Sequence, residues 1–167
     1  KLIEADKLGS IILWGPPGCG KTALSRLISQ KTKSLYLSLN AVTAKISDIK
    51  DSIEAAKKAR YRQQKTVLFI DEIHRFNKTQ QDALLPEVES GLLTLIGATT
   101  ENPFFSVIPA LISRSQIFEL HALSDDALTT LLTPYLIRSS DGVVGTINRF
   151  MPAGMKDTLN SYTDWVG

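Results

Sequence analysis

The chain has 167 residues, a formal charge of +2 and a charged fraction of 22%, which suits an ordinary globular protein with one core domain and room for a small appendage. So weak a positive balance carries no nucleic-acid signal by itself. No apolar run is long enough to span a bilayer, no signal-peptide pattern is seen, and the single cysteine, Cys19, excludes an internal disulfide and points to a reducing compartment.

Lys1–Leu8 reads as the end of a helix, so the chain is expected to start inside a larger protein. Ser10–Trp14 is a short apolar run stopped by glycine and proline, and it predicts a buried strand. Lys21–Gln30 places Ala23, Leu24, Leu27 and Ile28 at helical spacing. Leu35–Leu39 predicts a second strand. Ile46–Arg62 returns to helical spacing through Ile46, Ile49, Ile53, Ala56 and Ala59. Thr66–Ile70 is continuously apolar, as strands buried on both faces of a parallel sheet are. Thr79–Glu89 predicts a helix with Pro86 as a local fault near its end.

Leu92–Ala98, introduced by Gly91, predicts a fourth strand. Pro103 and Pro109 punctuate the segment that follows, and Gln116–Leu120 predicts a fifth strand. Ser124–Leu136 predicts a helix capped by Ser124, with Asp125 and Asp126 in its first turn favouring the helix dipole. From Ser139 onward the chain is turn-rich and without a clear period. Strands alternating with helices predict an α/β domain whose right-handed crossovers put helices on both faces of a parallel sheet.

Gly15-Pro16-Pro17-Gly18-Cys19-Gly20-Lys21-Thr22 satisfies G-x-x-x-x-G-K-[ST] between a predicted strand and a predicted helix. Glycines let backbone N–H groups turn inward as an anion nest, and the helix N-terminus adds its partial positive charge there. Lys21 can reach the β- and γ-phosphates of ATP, and the Thr22 hydroxyl can bind Mg2+. Cys19 need only be small at its place in the loop.

Asp71 and Glu72 close the strand Thr66–Ile70, and ligands of open α/β sheets bind beyond such carboxyl ends. Asp71 is placed to hold magnesium, directly or through water, and Glu72 to orient or deprotonate the attacking water. Two solvated residues at a strand end would look the same; the intact phosphate loop favours hydrolysis. Thr100, at the tip of the fourth strand, can sit between Asp71 and the γ-phosphate, although the residues alone allow a plain turn. Arg114, just before the fifth strand, reads either as a surface residue or as an arginine finger for a neighbouring subunit's ATP.

Two runs are more specific than the loop: Asp71-Glu-Ile-His-Arg-Phe-Asn-Lys-Thr-Gln-Gln-Asp82 and Ile96-Gly-Ala-Thr-Thr-Glu-Asn-Pro103. With Ile11–Thr22 and Ala41–Thr43, they resemble the AAA+ ATPase family of replication-associated recombination protein A and Werner helicase-interacting protein, over about Lys1 to Leu136. The resemblance implies a clamp-loader-like P-loop NTPase, a three-layer sandwich of AAA+ type on a five-stranded parallel sheet with a remnant helical lid. It implies a core over residues 1–121, and a partial lid with a divergent tail over 122–167.

By the same resemblance Thr100 is a first sensor, Arg114 a finger acting in trans, and Asn40 a switch residue that gates Glu72. His74, Arg75, Asn77 and Lys78 would face DNA, giving affinity through phosphates without sequence preference. The implied partners are fork, gap or end structures of DNA, further copies of the chain in an oligomer, and replication proteins, but no membrane. The implied compartment is the bacterial cytoplasm at the nucleoid, or the eukaryotic nucleus.

The family's segment that closes over adenine would precede Lys1, and its second-sensor arginine has no match here: Arg138 and Arg149 lack the surroundings. The expectation is therefore a core truncated at both ends, with weak ATP binding and poor turnover alone. Alternative readings are a clamp-loader or branch-migration motor subunit, and a non-catalytic nucleotide-binding fragment.

Overall fold

A computed structural model describes residues 9–122 together with Ser124 and Ala127. The expectations for Lys1–Leu8, for the tail from Ser139 and for Arg138 and Arg149 lie outside the described residues. So does the Ser124–Leu136 helix, apart from its start, where the Ala127 amide donates to the Ser124 hydroxyl at 3.3 Å. Contacts divide the chain into two units, Lys1–His121 and Ala122–Gly167, and everything below concerns the first.

The apolar runs form strands β1 (Ser10–Trp14), β2 (Leu35–Asn40), β3 (Thr66–Asp71), β4 (Thr94–Thr99) and β5 (Ser115–Glu119). They make one parallel sheet in the order β2-β3-β4-β1-β5. Successive side chains of a strand point to opposite faces, and two separate cores result. Ile12, Leu68, Ile70 and Leu95 pack on one side with Ile49, Ile53 and Ala56 of the helix α2 (Ile46–Tyr61). Ile11, Leu13, Val67, Phe69, Ile96 and Ala98 pack on the other with Ile28 of α1 (Lys21–Lys31). Burial on both faces is why the central strands read as continuous apolar runs rather than as alternating ones.

Three expectations change. The helix expected over Thr79–Glu89 is two short ones, α3 (Lys78–Asp82) and α4 (Leu85–Glu89), separated by a turn at Ala83 and Leu84. Pro86 sits in the first turn of α4, where a missing N–H costs nothing, instead of faulting a helix end. The fourth strand starts at Thr94 rather than Leu92. The Leu92 and Leu93 amides donate to the Glu87 carbonyl, at 3.0 and 3.3 Å, and so close the end of α4 instead of joining the sheet. The fifth strand is shifted back by one residue, and Pro103 and Pro109 each open a single-turn helix, α5 (Pro103–Ser106) and α6 (Pro109–Ile112).

One buried amide holds this segment to the sheet's carboxyl edge. Gln81, 2% exposed, donates to the carbonyls of Phe76 (3.0 Å) and Ser106 (3.1 Å) and accepts from the Ile108 amide at 2.9 Å. Asn77 and Gln80 cap α3 reciprocally, each side-chain oxygen accepting the other's backbone N–H at 2.9 and 3.0 Å.

Candidate nucleotide site

Because the sheet is parallel, all five carboxyl ends lie along one edge. The strand order sets β4 between β1, which feeds the phosphate loop, and β3, which ends in Asp71. The tip of β4, Thr99 and Thr100, therefore falls between the loop and the acidic pair. The Gly15 amide donates to the Thr99 carbonyl at 3.2 Å and ties the loop's first residue to that tip.

The loop requires glycine at Gly15 for a second reason. Its φ is +152°, and a Cβ there would stand 2.0 Å from the Leu120 carbonyl oxygen. Gly20, at φ +92°, is the N-cap of α1 and brings no side chain to occupy the helix's first amides, which leaves them to an anion. Lys21 is 8% exposed. Its Nζ donates to the carbonyls of Gly15 (2.8 Å) and Pro16 (2.9 Å) and lies 3.7 Å from Cys19 Sγ. Cys19 is thus packed beneath the loop against the ammonium group. Pro16, Pro17 and Gly18 are exposed on the loop's outer side, and the Thr22 side chain is exposed at the head of α1.

Asp71 is half-buried as the last residue of β3. Glu72 follows in the left-handed region at φ 53°, a conformation with a real cost for a residue that has a Cβ. The backbone then makes one 3₁₀ turn, Ile73–Arg75. Glu72 keeps 31% side-chain exposure, and its Oε2 lies 3.2 Å from His74 Nδ1 and accepts from Thr100 Oγ1 at 3.5 Å.

The two threonines at the tip of β4 differ. Thr99 is fully buried, and its hydroxyl accepts from the Glu101 amide (3.0 Å), donates to the Glu101 carbonyl (3.2 Å) and meets His74 Nδ1 at 3.0 Å. Thr100 is exposed and faces Glu72.

Two residues stand elsewhere than the resemblance implied. The Asn40 side chain accepts from the Val42 amide at 2.9 Å in a local turn, and the polar neighbours of Glu72 are His74 and Thr100. His74 does not face outward with Arg75, Asn77 and Lys78, which are exposed. Its side chain is 5% exposed and turned in against Glu72 and Thr99. Arg114 pairs with Glu89 at the end of α4 and donates to Ala110 O (2.9 Å) and Ser113 Oγ (3.1 Å). None of these partners belongs to the loop or the acidic pair.

The donor set suits Mg2+. Thr22 and Asp71 offer hard oxygens on either side of the tip of β4. Among the described residues no group of three or more His, Cys, Asp and Glu forms a metal cage, and magnesium bound with a nucleotide takes one or two side-chain oxygens plus phosphate oxygens and water.

The family model described as "ATPase family associated with various cellular activities (AAA)" matches residues 11–123. The chain belongs to the AAA family. Within it, the AAA chain is 48% identical over 143 residues to replication-associated recombination protein A of Coxiella burnetii, covering 86% of the chain and 32% of that protein. It is 48% identical over 132 residues to ATPase WRNIP1 of Dictyostelium discoideum, covering 79% and 15%.

Among solved structures, the Thermotoga maritima RuvB Holliday junction branch migration motor superposes with a TM-score of 0.62 at 26% identity, over 82% of this chain and 47% of that one. The chain spans about a third or less of the length of these curated relatives. Among the described residues no helix is long and apolar enough to cross a membrane.

Proposed function

We propose that this AAA chain binds ATP with Mg2+ and hydrolyses it in the service of replication-fork maintenance, recombination and repair. One observation carries the reading: the sheet order sets the tip of β4 between a phosphate loop and a strand-end acidic pair, with Thr100 Oγ1 reaching Glu72. When bound, the metal would supply charge neutralisation at the β- and γ-phosphates. Gly18–Thr22 would supply backbone amides, which Pro16 and Pro17 lack, and Lys21 the positive charge. Thr22 and Asp71 would hold the ion. Glu72 orients the attacking water and takes its proton, while Thr100 senses the γ-phosphate from beside it.

Arg114, exposed on the α6–β5 connection, would serve the nucleotide of a neighbouring copy in an oligomer. Arg75 and Lys78 would meet DNA phosphates. The likeness to RuvB favours a second reading, a branch-migration motor. The higher identity to replication-associated recombination protein A and WRNIP1 supports the first.

The test is steady-state ATP hydrolysis with forked DNA, with Holliday junctions and without DNA, beside Glu72→Gln. The expected result is fork-stimulated turnover that falls about 10²- to 10⁴-fold in the variant, as loss of a general base does, with ATP binding retained. Stimulation by junctions alone would favour the motor. Turnover unchanged in Glu72→Gln would remove the carboxylate from the reaction. Reversing the charge of Arg75 and Lys78 is expected to weaken DNA binding most at low salt; unchanged affinity there would remove them from the DNA face.

A further inference from the structure

The His74 imidazole is built into the site, yet the reaction as proposed gives it no task. We propose that His74 is a positioning residue for Glu72, whose Nδ1–H holds the carboxylate in one orientation beside Thr100. This rests on Glu72 being the reacting carboxylate.

The proton can be located from its neighbours. An ionised carboxylate only accepts, so the 3.2 Å approach of Glu72 Oε2 to His74 Nδ1 favours the hydrogen on Nδ1. Thr99 accommodates the same arrangement. Its oxygen accepts from the Glu101 amide, and with its one hydroxyl hydrogen on the Glu101 carbonyl the 3.0 Å contact is made by Nδ1–H donating to Oγ1. One arrangement suits both neighbours, an Nδ1–H shared between Thr99 Oγ1 and Glu72 Oε2. Glu101 Oε1, 3.5 Å from Nε2, would accept from an imidazolium, which also carries Nδ1–H. The neutral ring protonated at Nε2 would instead turn an Nδ1 lone pair toward the Glu72 carboxylate.

The ring is held firmly enough for the task. The 3₁₀ turn that carries it is closed by the Arg75 amide donating to the Glu72 carbonyl at 2.8 Å and the Phe76 amide to the Ile73 carbonyl at 3.1 Å. Ile73, fully buried, lies against Gly97, where a Cβ would come within 3.1 Å of its Cδ1. A glycine in mid-strand therefore lets the turn close down on β4 and brings His74 to Thr99. Without the imidazole, Glu72 would be a half-exposed side chain free among rotamers, and a misplaced base loses much of its effect.

The test has two readouts on the full chain. First, long-range 15N–1H correlations of the imidazole assign the tautomer; His121 is the only other histidine, so a His121→Gln variant completes the assignment. The proton is expected on Nδ1, with its resonance shifted in Glu72→Gln; a neutral Nε2–H ring, or no shift in that variant, would overturn the proposal. Second, His74→Ala is expected to lower kcat on the order of tenfold to a hundredfold with KM for ATP unchanged.

His74→Asn, whose amide N–H stands near the Nδ1 position, should restore most of that rate, and His74→Gln, which reaches toward Nε2, should not. A wild-type rate in His74→Ala, or equal rates in the Asn and Gln variants, would also overturn it. If the unaltered chain binds ATP without turning it over, the hydrolysis reading fails, and the ring spectrum alone then decides whether His74 holds Glu72.

Discussion

The centre of the sheet and its two edges are built differently. β3 and β4 are buried along nearly their whole length and β1 almost as fully, whereas β2 and β5 have only half-buried and exposed positions. Every group assigned to the nucleotide, apart from Arg114, leaves the tip of a central strand. The edge tips end in Asn40 and Glu119, and Asn40 serves only its own turn. Rigid burial on both faces fixes where a strand end points, and that is what a loop of backbone amides and a pair of carboxylates need.

The sharpest way to break this contrast is at the point where the centre touches an edge. A Cβ on Gly15 would meet the Leu120 carbonyl as the chain leaves β5. Gly15→Ala must push the loop and the β5 exit apart and abandon a positive φ. We expect a loss of about 4 kcal/mol or more, at the top of the range for one substitution, together with loss of ATP binding. Denaturant unfolding and a nucleotide titration would check both; a stable variant that still binds ATP would mean that the exit of β5 yields freely.

The next contrast uses one row of the sheet. Leu37 of β2 and Leu68 of β3 are register partners, but Leu68 is fully buried and Leu37 only partly so. Leu68→Ala should cost about 2–5 kcal/mol through lost burial and a residual cavity. Leu37→Ala should cost about 1 kcal/mol. Equal urea midpoints for the two variants would show that the edge strand contributes to the core no less than the central one.

The same division explains what could be read in advance. Central strands announced themselves because double-sided burial demands unbroken apolar runs, and β1 was placed to the residue. The phosphate loop was legible because glycine spacing and flanking elements are local. The break at Ala83–Leu84 was not, because the alternative it satisfies is tertiary: Gln81, a polar residue at a helical position, is fixed by carbonyls and an amide on either side in sequence. His74 was misplaced for the same reason. Arg75, Asn77 and Lys78, close to it in sequence, are polar and exposed, and only the crossover from β3 to β4 brings it Thr99 and Glu101. Thr99 and Thr100 are alike in the sequence, and only the end of β4 divides them into one buried anchor and one exposed hydroxyl.

The smallest expected effect sharpens the contrast within one helix. α2 buries Ile49, Ile53 and Ala56 against the sheet and carries Glu54 and Lys57 outside, their charged groups 2.9 Å apart. The hydrogen bond from Lys57, and then its charge, hold the Glu54 carboxyl below the ordinary glutamate value. A carboxyl titrating lower in the folded chain than in the unfolded one adds stability only above the unfolded value. That stability is lost as pH falls through the folded value.

Glu54→Gln should therefore lie slightly below the unaltered chain near pH 7 and meet it below roughly pH 4, with salt shrinking the neutral-pH difference. Both residues are solvent-exposed, so the difference should be far smaller than that of Leu37→Ala. Paired urea curves at the two pH values would show it, and a gap that persists in acid would mean that Glu54 acts through packing of its stem along α2 rather than through its charge.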